Sequence, residues 1–91
     1  MKGTFEMNKK YIVKAPNEET VFCVLSPDRP AKEQLSSVLQ VHGGGLSVEL
    51  TDKEILVMDY FHGSPMAIFT ILSLEDTDLP VSLSWSKAEG Q

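Results

Sequence analysis

A chain of 91 residues, 42 % hydrophobic and 23 % charged, has the composition of one folded domain. Its net charge is -5, from 8 Lys+Arg against 13 Asp+Glu, and its one basic pair is Lys9-Lys10. Nucleic acid and anionic membrane both need clustered cations, so neither is an expected partner. The acidic balance serves solubility, or suits a partner protein with a basic surface.

There is one cysteine, Cys23, so an internal disulfide is excluded. No apolar run approaches the roughly 18 residues of a membrane helix. Residues 1–10 hold only Phe5 and two methionines as apolar side chains, too few for a signal-peptide core. A cytoplasmic location is expected. The chain reads as a single domain over 1–91, with 1–8 and 88–91 frayed. Met7-Asn8-Lys9-Lys10 resembles a bacterial start, and codons for Lys2-Gly3 can spell a ribosome-binding sequence before it. An origin at Met7 is a hypothesis that intact mass of the native protein tests. It leaves the charge unchanged, because Lys2 and Glu6 cancel.

Residues 9–14, built on Tyr11, Ile12 and Val13, predict a short strand. Pro16 and Asn17 break it. Residues 20–25 are β-branched and aromatic, so a hairpin follows. Apolar residues on both of its faces, Val21, Cys23 and Leu25 against Phe22 and Val24, predict an internal strand.

Pro27 and Pro30 stop that strand, and Pro30 opens a helix over 30–42. Asp28 is placed to cap it. Ala31, Leu35, Val38, Leu39 and His42 form one narrow apolar stripe. Gly43 is the expected left-handed cap. Such a helix is marginal alone and must pack on a sheet.

Three strands follow over 46–51, 54–61 and 66–74. The first alternates cleanly. The second sets Ile55, Val57 and Asp59 against Leu56, Met58 and Tyr60. The third sets Met66, Ile68, Leu72 and Leu74 against Ala67, Phe69 and Ile71. Residues 75–78 read as an acidic loop. A last strand over 80–87 turns Val81, Leu83 and Trp85 inward, with Pro80 marking it as an edge.

The expected fold is therefore α+β: an antiparallel sheet of five to six strands with one helix on a face, in the order β-β-α-β-β-β-β. One narrow helix cannot cover a sheet whose middle strands are apolar on both faces. Either the sheet curls into a half-barrel, or its second face meets another subunit or partner.

No motif carries chemistry. His42, His62, Asp59 and Cys23 lack a metal-ligand spacing, and Cys23 flanked by Phe22 and Val24 reads as a buried thiol rather than a nucleophile. Glu75, Asp76 and Asp78 lack the length and glycine of a calcium loop. Gly43-Gly44-Gly45 follows a helix instead of preceding one, so it is a hinge and not an anion cradle. The expectation is a non-enzymatic, protein-binding factor of bacterial or phage type, without cofactor, forming a homodimer. Its interface residues would be Glu75, Asp76, Asp78, Val81, Leu83 and Trp85, or its uncovered apolar face. The alternative is a small ligand-binding or enzymatic domain with a pocket at His42, Asp59, Tyr60 and His62.

Overall fold

The structure, a computed structural model, describes residues 6–88. The elements run β1 (Asn8–Lys14), β2 (Thr20–Leu25), α1 (Ala31–Leu39), β3 (Leu46–Leu50), β4 (Glu54–Asp59), β5 (Ser64–Thr77) and β6 (Ser82–Lys87). All six strands belong to one antiparallel sheet, in the spatial order β3-β4-β5-β1-β2-β6. This is the expected α+β order.

The sheet curls into a half-barrel. Helix α1 packs against β2 and against both edge strands, β3 and β6. At one of those edges Lys32 Nζ lies 3.7 Å from Glu49 Oε2. In a flat six-stranded sheet the edges would stand roughly 24 Å apart, and a helix is only about 10–12 Å across. The edges must therefore bend toward the helix, which closes the concave side. Leu35 and Val38 enter a core with Tyr11, Val13, Val21, Cys23, Leu25, Val48 and Ile55.

The helix is shorter than the sequence predicts. It ends at Leu39, because Gln40 adopts the left-handed conformation (φ 59, ψ 41) and the Val41 N–H donates to Ser36 O at 2.9 Å. That bond satisfies a terminal carbonyl, as a glycine cap would. His42 thus leaves the stripe and lies in an exposed loop. The expected Asp28 cap is also absent: Pro30 occupies the cap position without a side-chain bond. Gln34 holds this corner instead. Its Nε2 donates to Ser26 O and Arg29 O, and its Oε1 accepts from the Ser26 N–H. Gln34 is buried, and these bonds offset the cost of removing its amide from water.

β5 is longer than expected, at 14 residues. Glu75, Asp76 and Thr77 continue the strand rather than forming a loop, since Glu75 faces Lys10 and Asp76 faces Lys9 on β1. Opposite charges directly across a strand pair favour the extension. β5 also changes partners along its length. Residues 64–70 pair with β4, and residues 70–77 pair with β1, with Thr70 opposite both Glu54 and Lys14.

Two irregularities reset the faces of β5. Between Ile12 and Val13 the partner jumps from Ser73 to Ile71, leaving Leu72 as the extra residue. A bulge of this kind reverses the alternation beyond it. Leu74 therefore stands opposite buried Tyr11 on the concave side, not with Met66, Ile68 and Leu72 as the alternation predicts. A second shift, between Val57 and Met58, makes Met66 the extra residue.

The chain ends are tied further out than expected. Asn8 is already in β1, and the Ala88 N–H donates to Thr20 O at 3.1 Å. The expected fraying of 1–5 and 89–91 lies outside the described residues.

Candidate functional site

The fold leaves a diagonal apolar band uncovered on the convex side of the sheet. Residues directly across a strand pair share a face, so the register defines the band. β4 contributes Leu56 and Met58, β5 contributes Ile68, β1 contributes Ile12 and β2 contributes Phe22, while the extra residues Met66 and Leu72 adjoin the band at the two irregularities of β5. Met66 is 62 % exposed, Ile68 43 % and Leu72 52 %. The helix lies on the other side and covers none of them.

Charged groups flank the band at one level. Glu54 on β4, Thr70 on β5 and Lys14 on β1 form a row across it, with Glu54 and Lys14 on opposite sides. Lys10 lies over the Phe22 ring, 4.6 Å from its centroid. Lys14 also meets Glu18 at 3.0 Å.

A second exposed region lies where β5 ends and β6 begins. Lys9 Nζ donates to Asp76 Oδ1 at 2.6 Å, and this hydrogen bond raises the lysine pKa above its ordinary value. Ser73 Oγ donates to Glu75 Oε2. The Asn8 amide donates to Leu79 O, which anchors the loop. Val81 precedes β6 and Leu83 lies within it, and both stay exposed beside Leu79 and Asp78. β6 passes β2 irregularly, with Ser86 facing Phe22 and Ser82 facing Val24, and Val81 and Leu83 are exposed, not buried as expected. Trp85 does turn inward, half-buried against Phe69. The structure thus brings Glu75, Asp76, Asp78, Val81 and Leu83 to one end of the sheet and sets Trp85 in the core.

The third region is the β4–β5 hairpin tip. Asp59 Oδ1 accepts from the Phe61 N–H at 2.9 Å, the two-residue reach usual for aspartate in a turn. Asp59 Oδ2 lies 2.6 Å from His62 Nδ1. The Tyr60 N–H donates to Gly45 O at 2.7 Å, so the glycine loop after the helix does meet this tip. Tyr60 and Phe61 are 81 % and 79 % exposed and contact each other edge to face. His42 makes no hydrogen bond to Asp59, Tyr60 or His62 among the described residues. An open depression of about 340 Å³ lies elsewhere, lined by Glu18, Glu19, Thr20, Lys87 and Ala88.

Cys23 is fully buried, and burial pushes its thiol pKa up to about 12. A thiol so held is neutral and not nucleophilic. Among the described residues no three His, Cys, Asp or Glu side chains group to hold a metal ion, and no helix is long and apolar enough to cross a membrane.

Comparison with protein-family models, with curated proteins and with solved structures finds no match. The sequence marks strands β4 and β5 as apolar on both faces. It does not show that Glu54 and Lys14 face each other across the band, because that depends on pairing between β1 and β5, distant in sequence.

Proposed function

We propose that this protein acts by binding another protein, as a small non-enzymatic cytoplasmic factor of bacterial or phage type. The observation that carries the reading is the convex band. Met66, Ile68 and Leu72 stand exposed with Leu56, Met58, Ile12 and Phe22 around them. A contiguous apolar band on a small acidic protein is the ordinary mark of a docking surface. The acidic end is a second contact, suited to a partner with a basic surface: Glu75 and Asp78 supply charge, and Val81 and Leu83 supply apolar area.

The hairpin tip supports this reading over a catalytic one. Asp59 and His62 are paired, but the imidazole is 75 % exposed and open to water. Their hydrogen bonds run within one turn, which gives them a structural task. The test is affinity purification from the native cell with wild type and Leu72→Asp as parallel baits, read by mass spectrometry. A partner held by wild type and lost from the variant is the expected result. Identical recovery on both baits, together with an unchanged set for a Glu75→Lys/Asp78→Lys bait, defeats the proposal.

A further inference from the structure

We infer that the convex band docks a second copy of this chain, across a two-fold axis that lies in the contact plane along the band. The inference rests on the reading of that band as a docking surface and names its occupant.

Charge selects the occupant. The band carries both signs, in fixed places. Lys14 and Glu54 flank it on opposite sides of Thr70. A uniformly basic partner would meet Lys14, and a uniformly acidic one would meet Glu54. A fitting partner must present acid opposite the lysine side and base opposite the glutamate side. A second copy does so by symmetry. Rotation about an axis along the band lays apolar side chains on their own counterparts and carries the Glu54 side of one protomer to the Lys14 side of the other. Such an isologous contact is self-complementary and closed.

The molecule measures 47 × 33 × 20 Å, and a stable dimer needs about 800 Å² from each partner. Lys14 already meets Glu18 at 3.0 Å, but both groups are exposed and such pairs contribute little, so exchange for a glutamate across the interface costs little. Occupation of the band by a second copy leaves the acidic end at Glu75, Asp78, Val81 and Leu83 open on each protomer for a different protein.

The test is sedimentation equilibrium of the full chain over a wide concentration range. The variants are Leu72→Asp, Lys14→Glu, Glu54→Lys and the double reversal Lys14→Glu/Glu54→Lys. Thermal unfolding checks that each variant folds. Wild type is expected to dimerise, and Leu72→Asp to be monomeric. Each single reversal weakens association about ten-fold, because like charges then meet twice across the axis, and the double reversal restores it to within about three-fold. A wild-type monomer at every concentration overturns the inference. So does a dimer that ignores Leu72→Asp and the reversals. A hydrophobic dye separates the two readings. A monomer whose dye binding is lost in Leu72→Asp overturns only the second copy, whereas a monomer that binds no dye overturns the docking surface as well.

Discussion

Phe69 on β5 and Trp85 on β6 stack with ring centroids 5.4 Å apart and planes inclined by 14°. Two strands, β1 and β2, separate them in the sheet. In a flat sheet three intervals of ~4.8 Å would hold them roughly 14 Å apart. The stack therefore spans the concavity and fastens the curl from inside. Trp85→Ala is expected to cost about 2–4 kcal/mol, below the largest aromatic deletions because both rings are only half-buried. Trp85→Phe, which keeps a stacking ring, should retain most of that. Urea unfolding measures both, and Trp85, the only tryptophan, reports its own burial by fluorescence in the wild type.

Gln34 is the polar keystone of the helix start. Replacing it with alanine removes three hydrogen bonds and leaves the Ser26 N–H and the Ser26 and Arg29 carbonyls without their partner. A loss of about 2–3 kcal/mol is expected, because stranded groups cost more than a bond contributes. Gln34→Glu should be at least as damaging, since a carboxylate cannot donate to two carbonyls. Denaturation midpoints at neutral pH check both, and a Gln34→Ala midpoint equal to wild type would refute this role.

Alkali should unfold the protein in part through Cys23. Its folded pKa is about 12 against an ordinary 9.0, so the folded state holds the proton more tightly. Below the unfolded value the thiol is neutral in both states, and its stabilising share is fully present. Above pH 9.0 the unfolded chain ionises first, and stability falls as pH rises toward 12, by at most about 1.4 kcal/mol per pH unit. Burial raises the Tyr11 pKa as well, in the same direction. Cys23→Ala should flatten the alkaline decline without abolishing it. A thiol reagent at pH 8 should react only after denaturant is added.

Gly45 has φ +85, and a Cβ there would lie 2.8 Å from the Phe61 ring. The ring is highly exposed and can move aside, so the backbone angle sets the cost. Gly45→Ala should lose about 1–2 kcal/mol. Adding Phe61→Ala should not recover it. Recovery in the double variant would show that the ring contact dominates.

Much of the fold was legible because it is local. Alternation in β3 and β4, the prolines around the helix and the short meander turns all act within a few residues. The surplus of apolar faces was legible too, and it left a curled sheet and a face covered by a partner as the two outcomes. What escaped was set by distant partners. Lys9 and Lys10 draw Glu75 and Asp76 into β5, and the extra residue Leu72 moves Leu74 to the other face. Gln34 lies outside the apolar stripe, and its burial depends on carbonyls that the loop at Ser26 and Arg29 turns toward it. The band's apolar members were readable one strand at a time. Its flanking charges were not, because Glu54 and Lys14 become neighbours only through Thr70.

The divided pairing of β5 bears on how the chain is made. The β1–β2 hairpin leaves the ribosome early, yet β1 finds its other neighbour only in the second half of β5. Closing so long a loop is slow compared with forming the local β3–β4–β5 meander. During synthesis the hairpin must wait with both edges bare, that of β1 until Thr77 emerges and that of β2 until β6 follows. That interval is when nascent chains are most exposed to wrong strand partners, and Lys9, Lys10 and Lys14 along β1 are the kind of charged edge that discourages them.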